Sequence, residues 1–221
     1  MQGRIPEPVP DDLTVIETMR ATHGRIALWP LHLARLRRDC AAVGYDLDED
    51  AVARALAQLP RDADVRRARL TVDRAGRVAL THAKLPANPA HWNVVVSPLR
   101  LDSSDPWLAI KTSHRPIYDA ARAALPADCD EAILMNERGD ICEGTITSLF
   151  LRRGDRLLTP ALSCGVLPGV LRASLLASGR AEEAVLTPGD LERGELFCGN
   201  ALRGLIPARL RRDRSMQAGE H

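Results

Sequence analysis

Short β-type runs come in neighbouring pairs along this 221-residue chain, each pair closed by a brief turn, and that pairing restricts the fold more than any other feature. LTVIETM and RIALW flank ATHG, ARLTVD and RVALTHA flank RAG, DEAILMN and ICEG flank ERGD, and TSLFLRR and RLLTP flank a turn at Gly154 and Asp155. Antiparallel hairpins are joined by links this short, whereas neighbouring parallel strands need a crossover of about a dozen residues or more. The pattern predicts an α+β fold and argues against a doubly wound parallel sheet.

Helical periodicity fills the gaps between the hairpins. Pro30 suits a first helical position, and Leu33, Leu36, Arg37, Cys40 and Val43 follow at helical spacing until Gly44 offers a left-handed stop. Asp48 to Leu59 reads as a second helix, with acidic residues in its first turn and Pro60 after it. GVLRASLLASG reads as another, entered through Pro168 and Gly169, and Glu183–Leu186 and Glu195–Cys198 read as the last strands. Residues 1–12 (MQGRIPEPVPDD) hold three prolines and no apolar period, an irregular leader. The strand WNVVVSP runs into a stretch rich in Ser, Asp and Pro from Ser97 to Trp107. A lobe boundary is placed there, giving an N-terminal α/β lobe over 1–101 and a C-terminal lobe over 102–221.

Lys plus Arg number 30 against 29 Asp plus Glu, so the net charge of +1 gives no electrostatic footprint for nucleic acid or an anionic membrane. No window approaches the roughly 18 apolar residues of a membrane span, and the start lacks the basic and apolar pattern of a signal peptide. The five cysteines are scattered, with no C-x-x-C pair, which suggests neither a disulfide framework nor a zinc site and fits a reducing cytoplasm. His23, His32, His82, His91 and His114 show no metal-binding spacing, so no metal is expected.

Of the 30 basic residues, 28 are Arg, and only Lys84 and Lys111 are Lys. Guanidinium stays protonated at any working pH, but a lysine amine can lose its proton and act as a nucleophile. Lys84 sits in the loop HAKLPANP. Lys111, in AIKTSHRPIY, follows an apolar pair and precedes a polar turn, a strand-end setting that would desolvate the amine and lower its pKa. Lys111 is therefore the better nucleophile candidate. Glu143 ends a β-type run in CEGTITSLF, a carboxylate in search of a cation or a plain strand-end acid. LPGVLR opens a helix whose first amides can take an anion.

The order AIKTSHR, CEGTITSLF, LLTPALSCGVLPGVLR and LFCGNALRGLIP resembles the class IV aminotransferases, the fold type IV pyridoxal phosphate enzymes. The resemblance runs from about Leu13 to Leu210. It implies that Lys111 holds the cofactor as an aldimine, that Glu143 faces the pyridine nitrogen, and that Arg35, in LHLARLRR, binds the phosphate. It further implies phosphate contacts from the amides of Val170 and Leu171 and from Asn200 in CGNAL. The chain departs from the family in having Ser148 where Asn is usual, and Pro116 where many members place a Tyr five residues after the lysine. Tyr118 is near but out of that register. The family's usual opening strands are missing, and only DLTVIETMR remains.

Within the family, CNAL and Arg115 four residues after the lysine look most like aminodeoxychorismate lyase. Such an enzyme converts 4-amino-4-deoxychorismate to 4-aminobenzoate and pyruvate in folate biosynthesis, with Lys111 as anchor and acid/base. That substrate has two carboxylates, and Arg115, Arg20 and Arg203 are the candidate partners. The alternatives are a transaminase for branched-chain or D-amino acids, and a non-catalytic scaffold, against which the surviving Lys111 argues. A cytoplasmic homodimer with sites at the subunit boundary is what the resemblance implies.

Overall fold

The computed structural model describes residue 5 and residues 8–211; the expected leader and the terminal RLRRDR run fall partly outside them. Two sheets divide the chain. The first is four-stranded and antiparallel, in the order β2-β1-β3-β4, built from β1 (Val15–Thr22), β2 (Arg25–Ile26), β3 (Arg66–Val72) and β4 (Val78–Lys84). Its first hairpin turns on only two residues, His23 and Gly24, both with positive φ (53° and 70°), as a tight hairpin turn of this hand requires.

α1 (Trp29–Val43) packs on this sheet, with a proline in its first turn and Gly44 closing it at φ 73°. Its buried face consists of His32, Arg35, Leu36, Asp39, Cys40 and Val43, so Leu33 and Arg37 do not lie on the buried stripe that the apolar spacing suggests. Ion pairing decides the rotation: His32 and Arg35 turn inward to a buried carboxylate on β1. α2 (Glu49–Leu56) starts as expected, with the Asp48 side chain accepting from the Ala51 N–H, but ends three residues early. Leu13, Met19, Leu36, Leu70 and Val72 fill the core of this lobe.

The second sheet runs β10-β9-β8-β11-β12-β5-β6-β7, and β7 pairs back onto β8. Six strands therefore close into a barrel: β5 (Trp92–Leu101), β6 (Glu131–Asn136), β7 (Ile141–Gly144), β8 (Ser148–Arg153), β11 (Glu195–Asn200) and β12 (Gly204–Leu210). β9 (Arg156–Pro160) and β10 (Ala181–Ala184) extend it beyond β8. Closure rests on one register pair, Glu143 with Ser148. α3 (Pro116–Ala123) and α4 (Val170–Ala177) pack outside the barrel, and α5 (Pro188–Arg193) precedes β11. Val94, Ile133, Ile141, Leu149 and Ile206 pack together in one barrel core.

The lobe boundary differs from the expected one. β5 pairs in parallel with both β6 and β12, so residues 92–101 belong to the barrel and the chain changes sheet in the loop 85–91. The Ser/Asp/Pro stretch after β5 instead makes a 3-10 turn (Pro106–Ala109) that leads into the segment carrying Lys111. Among the described residues, no helix is long and apolar enough to cross a membrane.

Candidate active site

A cavity of about 630 Å³ lies between the first sheet, α1 and the barrel seam, a size suited to a cofactor with a small substrate. Lys111, Glu143, Arg35, Arg115, Val170, Leu171 and Asn200 all border it. The sequence order scatters these residues over more than 150 positions, and barrel closure brings them together.

Lys111 is not at a strand end. It lies in a strap tied to the other lobe: its N–H donates to Asp39 Oδ2 (2.8 Å), its carbonyl accepts from the Ile16 N–H (2.8 Å), and Thr112 bridges to Val15. Its backbone is thus fixed from two elements while, among the described residues, Nζ has no hydrogen-bond partner. Burial, followed by repulsion from Arg35 and Arg115, lowers the amine from 10.5 to about 8. About a tenth of such an amine is neutral at pH 7, far more than for an unshifted lysine, and the neutral form is what a nucleophilic lysine needs.

Glu143 is 5% exposed and is pushed up to about 7, chiefly by burial. Its Oε1 accepts from the Tyr118 hydroxyl (2.6 Å) and from the Leu167 N–H (3.2 Å). A raised carboxyl pKa sets a sign for stability. The folded state holds the extra proton between pH 4.5 and about 7, so this stabilising contribution is complete below 4.5 and is lost as pH rises through 7. Replacing Glu143 by Gln in the cofactor-free protein should therefore improve its stability relative to wild type by about 2–3 kcal/mol on going from pH 5 to pH 8. Urea unfolding at the two pH values checks this, and an unchanged gap contradicts it.

The loop between Glu143 and Ser148 is held from below by Glu131, which sequence reasoning missed. This fully buried carboxylate accepts from the Thr145 N–H (3.0 Å), the Thr145 and Thr147 hydroxyls, the Ile146 N–H (3.2 Å) and Arg122. A Cβ on Gly144 would come within 2.8 Å of the Glu131 carboxyl carbon, which explains the glycine beside Glu143. The available signal was an acid opening a strand whose next four residues, Ala132 to Met135, are all apolar.

At the other end, Arg35 donates from Nε and Nη2 to both oxygens of Glu17 (2.7 Å each), and His32 Nδ1 meets the same carboxylate at 2.6 Å. Burial pushes Glu17 up, but Arg35 and His32 outweigh it and hold the carboxyl below its usual value. Two of the three guanidinium nitrogens are thereby committed, while Nη1 has no hydrogen-bond partner among the described residues and Arg35 lines the cavity. No side chain caps the start of α4, and a Cβ on its N-cap Gly169 would lie 2.7 Å from Ser148 Oγ. Val170 and Leu171 line the cavity, and their first-turn amides, at the positive end of a helix, carry no side-chain cap. Asn200 donates to the Ile146 carbonyl (3.2 Å) and accepts from the Arg203 N–H (2.9 Å), joining the Glu143 loop to the β11–β12 turn.

The three arginines expected at the substrate divide. Arg115 borders the cavity, its guanidinium 4.7 Å from the Tyr118 ring centroid and donating to the Thr145 carbonyl. Arg20 and Arg203 do not border it. Arg20 reaches the Leu202 carbonyl (3.4 Å), and Arg203 clasps the inter-lobe loop through Pro86 O and Asn88 Oδ1. Arg67 and Arg69 stand in their place. Ala68, Leu70 and Val72 of β3 turn to the core, so the alternating positions put both guanidiniums on the opposite face. Among the described residues neither has an acidic partner, and Arg69 is drawn below its ordinary pKa by loss of solvent and then by Arg67 and Arg115. The alternation RRARLTV was the signal that would have found them.

A family model described as amino-transferase class IV matches residues 14–210. The chain belongs to the class IV aminotransferase family. A crystal structure from Mesorhizobium loti of a protein assigned as an amino-acid aminotransferase shares 41% identity and superposes with a TM-score of 0.83, covering 90% of this chain and 100% of that one. A protein from Schizosaccharomyces pombe assigned as an aminodeoxychorismate lyase is 26% identical over 78% of both chains. One from Thermotoga maritima assigned as a branched-chain-amino-acid aminotransferase is 31% identical over 107 residues, which is 46% of this chain and only 39% of that protein. Class IV enzymes depend on pyridoxal phosphate. The cavity fits that group on its own chemistry: an unpartnered amine, a buried carboxylate and an uncapped helix start beside a guanidinium.

Proposed function

We propose that this class IV enzyme is a pyridoxal phosphate-dependent aminodeoxychorismate lyase, converting 4-amino-4-deoxychorismate to 4-aminobenzoate and pyruvate. The observation that carries this reading is the set of three guanidiniums, Arg67, Arg69 and Arg115, at the cavity, none of which forms an ion pair among the described residues. Cations of one sign gathered at one cavity favour an anion, and a substrate with two carboxylates supplies the matching charge. An apolar branched side chain would give them no partner.

When bound, pyridoxal phosphate supplies an electron sink for the carbon bearing the substrate amine. The residues of the chain divide the remaining work. Arg35 Nη1 and the amides of Val170 and Leu171 would hold the phosphate, Lys111 Nζ would anchor the cofactor covalently, and Glu143 would hold a proton at the ring nitrogen. Lys111 Nζ, when free, would take the proton from the carbon bearing the substrate amine. The C–O bond to the enolpyruvyl group would then break, Lys111 Nζ would return its proton to that group so that it leaves as pyruvate, and the six-membered ring would be left aromatic. Arg67, Arg69 and Arg115 orient the two carboxylates so that this carbon lies over Lys111.

If the arginines bind the ground state and transition state alike, their loss appears in KM. Arg69→Gln should raise KM for aminodeoxychorismate about 10- to 100-fold, the worth of a charge-assisted hydrogen bond, with kcat changed far less. Steady-state kinetics on the cofactor-loaded enzyme decide it, and a KM within twofold of wild type contradicts the assignment. The second reading, a branched-chain or D-amino acid transaminase, draws on the Thermotoga maritima relative. It is separated by supplying those amino acids with 2-oxoglutarate and measuring glutamate. The scaffold reading fails if the protein binds the cofactor through Lys111. A homodimer remains the proposed assembly.

A further inference from the structure

Glu143 can present either oxygen to the cavity unless something distinguishes them, because the terminal torsion of a carboxylate side chain is broad and two-fold. The structure distinguishes them. The Tyr118 hydroxyl, 2.6 Å away, and the Leu167 N–H, 3.2 Å away, both engage Oε1, and no donor among the described residues engages Oε2. Tyr118 is 8% exposed and sits in the first turn of α3, where Pro116 starts the helix and the Arg115 guanidinium lies over the phenol ring. Arg115 in turn donates to the Thr145 carbonyl, two residues beyond Glu143. Helix, ring and loop thus lock together around one carboxylate oxygen.

We infer that Tyr118 is a positioning residue for Glu143: its hydroxyl, with the Leu167 amide, occupies Oε1 so that Oε2 is the oxygen offered to the cofactor's ring nitrogen. The inference rests on the pyridoxal phosphate reading of the cavity. It gives Tyr118 a role distinct from contact with the cofactor's ring oxygen. The charged or titratable groups facing Glu143 are Tyr118 and Arg115 from α3 and its cap, and Lys111 from the strap. The hydroxyl stays a donor at every working pH, because burial and then the Glu143 charge push its own ionisation far up. Donation to the charged carboxylate also opposes the upward push of burial on Glu143.

Tyr118→Phe removes the hydroxyl and keeps the ring under Arg115. In the cofactor-free protein, an infrared titration of the protonated carboxyl band, assigned by its loss in Glu143→Gln, should show the Glu143 midpoint about one to two pH units higher than in wild type. In the loaded enzyme the acid limb of the kcat profile should move the same way with KM nearly unchanged. Should the Phe variant fail to fold, 3-fluorotyrosine changes only Tyr45 and Tyr118, the two tyrosines of the chain, and its more acidic phenol should lower the midpoint. An unmoved midpoint in either folded protein overturns the inference. If wild type binds pyridoxal phosphate while the midpoint stays put, this inference alone fails. If wild type does not bind it, the cavity reading falls and takes the inference with it.

Discussion

Replacing Lys111 by Ala should abolish the visible absorbance of lysine-bound pyridoxal phosphate and lower turnover by at least about 10²- to 10⁴-fold, the range of a lost general acid/base alone. The loss should exceed that range if the covalent anchor matters as well. The fold should survive, because the strap is held by its backbone: the Lys111 N–H and carbonyl bond to Asp39 and Ile16 whatever the side chain. Removing a buried amine whose pKa is depressed should even stabilise the cofactor-free protein. The depressed amine's contribution is present above pH 10.5 and is lost as pH falls through about 8, so the gain from Ala is largest at neutral pH. Absorbance and turnover of the variant close to wild type would remove Lys111 from the chemistry.

Arg35→Ala should have the largest effect on stability. Glu17 and His32 are both fully buried, and Arg35 supplies two of the three contacts to that carboxylate. Breaking a buried pair by removing one partner leaves a stranded charge and costs about 3–5 kcal/mol. In a chain this long that corresponds to a fall in Tm on the order of 10 °C. Affinity for pyridoxal phosphate should fall too, because Arg35 lines the cavity. Arg35→Lys keeps a charge but loses the fork that meets both carboxylate oxygens, and should recover only part of the stability. A calorimetric loss below about 1 kcal/mol for Arg35→Ala would show that His32 alone holds Glu17.

The sequence made some of this site plain for chemical reasons. Lys111 stood out because lysine is nearly absent, and Glu143 and the α4 start because their motifs follow in a recognisable order. The hairpins were legible because each turn carries its glycine. Other parts depend on partners that only the folded chain supplies. His32, Arg35 and Asp39 sit on the buried face of α1 because Glu17 and the Lys111 amide lie opposite, which no apolar period reveals. β12 was missed because Pro207 interrupts it. The strand tolerates that proline because its ladder with β5 begins only at Ala208, so no partner is deprived of an N–H. Arg67 and Arg69 were readable from strand alternation, but only a known cavity gives that face meaning. Arg20 and Arg203 were sought for charge alone, and both proved to bind backbone carbonyls elsewhere.

The most direct test of the account is to supply purified, pyridoxal phosphate-loaded protein with aminodeoxychorismate and to follow 4-aminobenzoate by fluorescence and pyruvate by a coupled assay. The account predicts that both products appear in equal amounts, with no amino acceptor added, and that Lys111→Ala forms neither. Lysine-bound cofactor with no 4-aminobenzoate, and glutamate formed from an amino acid and 2-oxoglutarate instead, would contradict the lyase and leave a transaminase.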